Sequence, residues 1–270
     1  MPGQKPTIRA VTFDLWETLI FEETGSNSRR ARLRCQTLTR TLNELGIKVS
    51  MEKTSSAMNR VAERLLGVWA DDEDLSHRDQ LSAFLRAATD GRASLNEDIY
   101  GVLSEAYVSA IFDGPPSLNP EAFEVLDALK KRKKGMGLIC NSGITPGFAL
   151  RRLLSNHGIL DFFDCLLFSD ETGIRKPDPR MFRSAADHLG VGVGNIVHVG
   201  DNLRTDIGGA KATGCMAVYF ASDAERDKEA EANPKSLVTL SRNLGKISSP
   251  DKLTADWTIY SLKSLLDCLI

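Results

Sequence analysis

The chain has 270 residues, 42% apolar and 26% charged, with a formal net charge of −2. These values are those of an ordinary globular protein, long enough for a full hydrophobic core without staples and for one large or two smaller domains. They exclude nucleic-acid or anionic-membrane binding driven by bulk charge. The five cysteines (Cys35, Cys140, Cys165, Cys215, Cys268) show no metal-ligand or disulfide spacing, which suits a reducing compartment. The first residues are polar, unlike a signal peptide, and no apolar run is long enough to span a bilayer. The expected location is cytoplasmic, with no membrane and no nucleic-acid partner.

In chain order, the apolar run 8–13 ends at Asp14 and predicts a buried strand. A flap-like stretch follows over 15–28, with Gly25, Ser26 and Asn27 as turn residues. Residues 29–111 then change character, becoming rich in Arg, Leu, Ala and Glu at helical spacing. Helices are predicted over 29–45, 52–69, 79–89 and 95–112, forming a helical insertion after one strand. From Gly114 the pattern alternates. Asn119-Pro120 predicts a capped helix that ends in the basic run Lys130–Lys134, a solvated helix C-terminus favoured by the dipole. A strand at 136–140, a helix opened by Thr145-Pro146 and a strand at 165–168 come next. A helix opened by Asp178-Pro179, a strand at 196–199, a helix at 203–213 and a strand at 215–220 complete the alternation. Such alternation implies an α/β fold, a doubly wound parallel sheet with right-handed crossovers. Residues 222–255 read as an exposed insertion, 255–260 as an edge strand and 261–270 as a last helix.

Four short motifs fall at the predicted carboxyl ends of strands, the edge where open α/β sheets bind ligands. Asp14 opens D-L-W-E-T-L; an Asp there is a plain turn cap, or a nucleophile if the charge of an anionic electrophile is neutralised. Asn141, Ser142 and Gly143 lie between a strand and a helix start, where donors can face an anion; a turn with no ligand is the alternative. Lys176 in R-K-P-D-P is either a surface lysine or a point charge balancing Asp14 and a transferring group. Gly200-Asp201 with Asp206 gives G-D-x-x-x-x-D. Asp14 and Asp201 would supply the one or two carboxylates that Mg²⁺ takes, and Asp206 would hold a metal-bound water or Lys176.

In this order, these residues resemble the haloacid-dehalogenase-like (HAD) hydrolase superfamily over almost the whole chain outside 222–255. The resemblance implies a Rossmann-like core over 1–20 and 113–270 and a C1-type helical cap over 21–112. It also implies a nucleophilic Asp14, a loop-supporting Thr18 that belongs with the substrate-binding set, and a phosphate-binding turn at Asn141, Ser142 and Gly143. Lys176 would offset charge. Mg²⁺ would be held by Asp14, Asp201, the backbone carbonyl of Trp16 and, indirectly, Asp206.

Two positions depart from the family pattern. Phosphatases of this family carry a second Asp two residues after the nucleophile, as proton donor and water activator; here Trp16 stands there. A positioned acid–base group is worth about 10²–10⁴-fold in rate. Trp16 therefore predicts weak activity, a good leaving group or another donor, with Glu17, Glu22 and Glu23 as the candidates. Cys140 replaces the usual Ser or Thr, and Ser142 is the nearest source of a hydroxyl. The expected function is a Mg²⁺-dependent phosphatase of a small phosphorylated metabolite, acting through an aspartyl-phosphate, with the cap moving on linkers at 19–23 and 112–116. An aromatic residue at the Trp16 position also fits the metal-independent 2-haloacid dehalogenase branch, and a non-catalytic binding protein is the third reading. Phosphonate cleavage would need a cap lysine, and Lys48 and Lys53 lack a fitting context. Arg29, Arg30, Arg32 and Arg34 are read as mostly solvated, His198 as structural and Trp69 as part of the helical core. Substrate identity and oligomeric state are not legible.

Overall fold

The computed structural model describes residues 7–221 and 254–269. Strand β1, Ala10–Phe13, is buried throughout. A two-residue strand β2, Ile20–Phe21, follows it and pairs antiparallel with β3, Ser117–Leu118. Between β2 and β3 run four helices: α1 (Ser26–Glu44), α2 (Met51–Trp69), α3 (His77–Ala88) and α4 (Glu97–Asp113). The chain thus leaves for the helical segment and returns from it at one short hairpin. Ser50, Ser76 and Asn96 cap α2, α3 and α4 by accepting from the backbone N–H three residues on. The four helices bury one another's apolar stripes in a core of their own, which includes Leu38, Leu65, Phe84 and Tyr107.

The rest of the described chain alternates. It comprises α5 (Ala122–Lys131), β4 (Gly135–Cys140), α6 (Gly147–Asn156), β5 (Cys165–Phe168), α7 (Ser169–Thr172), α8 (Pro179–Leu189) and β6 (Ile196–Gly200). A stretch of π-helix at Leu203–Gly208 runs into α9 (Gly209–Thr213), followed by β7 (Met216–Phe220), β8 (Trp257–Ile259) and α10 (Leu265–Cys268). The six main strands form one parallel sheet in the order β5-β4-β1-β6-β7-β8. One face packs on α5, α6 and α10 through Leu126, Leu129, Leu150 and Leu265, the other on α8 and α9 through Phe182, Ala185 and Ala210. The doubly wound α/β expectation is met. Because β4 lies on one side of β1 and β6 on the other, the topological switch falls at the end of β1, which is where Asp14 stands.

Several local expectations change. Asn119 does cap the chain entering α5, its Oδ1 accepting from the Glu121 N–H at 3.0 Å, and it has a second duty. Its side-chain amide donates to the Thr18 carbonyl at 3.0 Å and its backbone N–H to the Leu19 carbonyl, so it fastens the loop after β1. Thr145 does not cap α6; the Gly147 N–H at the start of that helix is taken by the Asp170 carboxylate. Asp178 does cap α8, accepting from Arg180 N with Pro179 in the first turn. The edge strand predicted over 255–260 is β8. The 222–253 part of the predicted insertion lies outside the described residues.

Candidate active site

Strands β1 and β6 deliver the three carboxylates. Asp14 follows β1, Asp201 follows β6, and Asp206 sits one turn into the π-helical segment. Carboxylate oxygens of all three lie within 4.8 Å of one another. Lys176 reaches the cluster from the loop before α8. It is 1% exposed, and its Nζ donates to Asp14 Oδ1 at 2.6 Å and lies 2.7 Å from Asp206 Oδ1.

The two anchored acids have different duties. Both Asp206 oxygens are engaged: Oδ1 by Lys176 and, at 3.4 Å, His198 Nε2, and Oδ2 by the Asn202 N–H at 2.9 Å. His198 in turn shares a 2.9 Å hydrogen bond with Thr12 of β1, so this buried imidazole ties β6 to β1 and braces Asp206, as its structural reading expects. The Asp14 Oδ2 makes no hydrogen bond among the described residues and opens on the cavity that Asp14 lines. Gly200 allows the close approach: a Cβ there would stand 2.6 Å from Asp206 Cβ.

The electrostatics follow from one lysine among three acids. Burial pushes the Asp14 carboxyl up to about 8; Lys176 pulls it down, while Asp206 and Asp201 push it further up. Burial also penalises the charge on Asp206, yet Lys176 and His198 overturn this and hold it below the usual carboxylate range. On Lys176, Asp14 and Asp206 outweigh burial and keep the ammonium above its ordinary value. The cluster is short of positive charge. An all-oxygen donor set with excess negative charge fits a small hard divalent cation such as Mg²⁺.

The turn after β4 adds contacts to its expected role. Asn141 brackets the lysine: its amide donates to the Lys176 carbonyl at 3.0 Å and its Oδ1 accepts from the Lys176 N–H at 2.8 Å. The Ser142 hydroxyl donates to Asp170 Oδ1 at 2.5 Å, and its N–H to Ser169 Oγ at 2.9 Å. Both side chains therefore have partners inside the protein, while both residues also line the cavity. Gly143, at φ 67, also lines the cavity. Thr18 does not line it; it is fully buried, and its hydroxyl has no hydrogen-bond partner among the described residues. Trp16 lines the cavity beside Asp14, as do Glu17 and Glu22, while Glu23 is exposed. Glu22 is ion-paired with Arg30.

The cavity measures about 930 Å³ and runs from the acidic cluster to α1 and α2. The sequence reading missed two of its lining features. Arg30 and Arg34 of α1 are not solvated but 4% and 6% exposed. The signal was available: stepping back by four residues along the apolar stripe, from Leu42 to Leu38, reaches Arg34 and Arg30. The second is Arg175, which lines the cavity from a further attachment of the helical segment to the core, beside the two linkers. Glu73 bridges Ile174, the Asp74 N–H donates to the Gly173 carbonyl, the Arg175 N–H to the Asp72 carbonyl, and Arg204 pairs with Asp72 at 2.9 Å. Asp74 also accepts from Trp69 Nε1 at 2.8 Å and from Ser169 Oγ at 2.5 Å.

Among curated proteins, the chain is 34% identical over 131 residues to a ribulose-1,5-bisphosphate 5-phosphatase of Halopiger xanaduensis, covering 48% of this chain and 53% of that one. It is 35% identical over 117 residues to a phosphoserine phosphatase of Thermus thermophilus, covering 43% and 45%. The matched segments thus span about half the length of these relatives. Among solved structures, a 2-haloacid dehalogenase from Pseudomonas syringae superposes with a TM-score of 0.61 at 24% identity, covering 97% of this chain and 98% of that one. A HAD phosphatase from Thermococcus onnurineus gives 0.55 at 22%, covering 97% and 98%. Both likenesses show the fold alone. No helix among the described residues is long and apolar enough to cross a membrane. The family model for haloacid dehalogenase-like hydrolases matches residues 8–214, which takes in Asp14, Lys176, Asp201 and Asp206, and the chain belongs to that family.

Proposed function

We propose that the chain is a Mg²⁺-dependent phosphatase of a small phosphorylated metabolite, working in the cytoplasm with the helical segment 21–112 as its cap and 1–20 with 113–270 as its core. One observation carries this reading: Lys176 is sealed between Asp14 and Asp206, beside Asp201, with Asp14 Oδ2 left open to a large cavity. The names of the curated relatives, both of them phosphatases, support the phosphoryl branch.

The reaction proceeds in two displacements. Asp14 Oδ2 attacks phosphorus in line, the ester P–O bond breaks, and the leaving alkoxide takes a proton from Glu17 or from water, which is made good when the hydrolytic water gives up its own proton in the second step. Water then attacks the aspartyl-phosphate, releasing inorganic phosphate and restoring the carboxylate. Phosphoryl transfer is governed by positioning and charge neutralisation, since the charge spreads over three equatorial oxygens. Lys176 supplies one fixed positive charge, held in aim by Asn141, and Gly143 offers a backbone N–H in the same cavity. Mg²⁺, held by Asp14, Asp201 and the Trp16 carbonyl, with Asp206 acting indirectly, would supply charge neutralisation of the phosphoryl group. Trp16 can neither give nor take a proton, so Glu17, which lines the same cavity, is the candidate acid for the leaving group, and good leaving groups are favoured.

The competing reading is 2-haloacid dehalogenation, in which Asp14 displaces halide from carbon. Trp16 favours it, because halide departs without a proton. A phosphate-release assay with aryl and metabolite phosphates, run beside halide release from 2-haloacids, separates the two. The expected result is Mg²⁺-dependent phosphate release, lost in Asp14→Asn and raised in Trp16→Asp. Halide release in chelator, with no phosphate release in Mg²⁺, would overturn the phosphatase reading.

A further inference from the structure

Arg30 and Arg34 share the buried face of α1, but their surroundings differ. Arg30 is neutralised by Glu22 and donates to the Gly114 carbonyl at 2.8 Å. Arg34 has no such partner. Its Nε donates to the Tyr107 carbonyl at 2.8 Å and its guanidinium carbon lies 5.1 Å from the centre of the Tyr107 ring. No carboxylate pairs with it among the described residues, and the ionisable groups acting on it are Tyr107, Arg30 and Cys35. Its two terminal nitrogens bond to nothing in the described chain, yet they are not sealed within protein; Arg34 lines the cavity that holds Asp14.

Arg175 repeats the pattern in the same cavity. It is 7% exposed, lines the cavity and stacks 4.3 Å from the Trp69 ring; its Nη1, unlike the terminal nitrogens of Arg34, is sealed inside the protein without a hydrogen-bond partner, and it forms no ion pair among the described residues. The two acids nearest in charge are engaged elsewhere, Asp72 by Arg204 and Asp74 by Trp69 and Ser169. Burial pushes the pKa of both guanidinium groups down, to about 10 for Arg175.

A buried cation without a counter-ion is strongly unfavourable, and an arginine is never relieved of its charge in practice. Arg34, with no carboxylate acting on it, calls for an anion from outside the chain, and Arg175, offset only at a distance by Asp74 and Asp72, adds to that demand in the same cavity. Lys176 and the acidic cluster take up the reacting phosphoryl group, so this anion is a different one. We propose that Arg34 and Arg175 bind a second anionic group of the substrate, so that the cavity accepts phosphate esters that also carry a carboxylate or a second phosphate. The substrate class rests on the phosphatase reading; the anion subsite does not.

The test compares kcat/KM within two matched pairs: 3-phosphoglycerate against glycerol 3-phosphate for a carboxylate, and fructose 1,6-bisphosphate against fructose 6-phosphate for a phosphate. A charge-assisted bidentate contact favours the doubly anionic member of at least one pair by about 10–100-fold. Arg34→Gln and Arg175→Gln each collapse that ratio toward one, and Arg34→Lys keeps part of it. A wild-type ratio near one in both pairs, or variants that lower both members of a pair equally, would overturn the inference while p-nitrophenyl phosphate turnover keeps the phosphatase reading standing. Should no phosphate ester turn over, that reading fails and calorimetry decides the subsite alone. Binding of the same doubly anionic esters at least tenfold weaker in Arg34→Gln supports it, and equal binding refutes it.

Discussion

Titrating Mg²⁺ into chelator-treated protein tests the charge imbalance at the sheet edge. Three carboxylates lie with oxygens within 4.8 Å of one another, and one ammonium contacts two of them. At that separation a like-charge pair repels by about 3 kcal/mol for an effective dielectric constant near 20. Asp201 is partly open to water, so its share is roughly halved. Removing that charge in Asp201→Asn is therefore expected to stabilise the metal-free protein by about 1–2 kcal/mol. Adding Mg²⁺ to about 100 times its dissociation constant stabilises the wild type by about 2.7 kcal/mol. For a chain of this length that raises the melting temperature by roughly 5–10 °C. Thermal denaturation of the two proteins, in chelator and in Mg²⁺, should show their order of stability reverse: the variant higher without metal, the wild type higher with it. An equal Mg²⁺ increment in both, or none in the wild type, would refute the assignment of Asp201 as a metal ligand.

Gly200→Ala would drive a methyl group into Asp206, within 2.6 Å of its Cβ; the expected outcome is loss of the Mg²⁺-dependent melting shift together with activity, read by the same scans. Burial, followed by Arg34, lowers the pKa of His77 to about 4. The unfolded imidazole takes its proton near 6.5, so between those pH values the unfolded state binds more protons, and stability falls on acidification by about 3 kcal/mol. His77→Phe should flatten that part of the urea-midpoint profile, and an unchanged slope between pH 6.5 and 4 would rule the group out. Asp74→Ala strands three donors, Trp69 Nε1, Leu75 N–H and Ser169 Oγ. A cost of about 3 kcal/mol or more is expected from urea unfolding, with a shifted Trp emission in the folded state.

The fold was legible because its signals are local and repeated. A β-branched run before Asp14, apolar stripes at helical spacing and Pro or Gly at element ends all depend on residue type alone. The convergence of Asp14, Asp201 and Asp206 at one sheet edge followed as well, since four motifs fell together at predicted strand ends where any one alone would read as a turn cap. What composition cannot show is which partner takes a polar group. Asn119 caps its helix through the Glu121 N–H, as its type suggests, but its contacts to the Thr18 and Leu19 carbonyls could not be read from the sequence. Asn141 and Ser142 have the right donors for an anion, and their added contacts to Lys176 and Asp170, brought close only by the folded sheet, could not be read from the sequence. The attachment of residues 72–74 to 173–175 is backbone pairing across about a hundred positions and leaves no mark in side-chain pattern.

The arginines of α1 mark a different limit. A helix with four arginines in its first nine residues reads as solvated when each is judged by its charge. Judged by phase, Ser26, Arg30, Arg34, Leu38 and Leu42 form one stripe at intervals of four, and all five are buried. A helix that packs by Leu38 and Leu42 must carry Arg30 and Arg34 inward on the same face, whatever their hydration penalty. The penalty is tolerable for Arg30 because Glu22 comes with it in the flap after β2. Nothing in the described chain does the same for Arg34. Periodicity therefore locates the buried charge, and the missing partner points to a ligand; neither observation alone would do so.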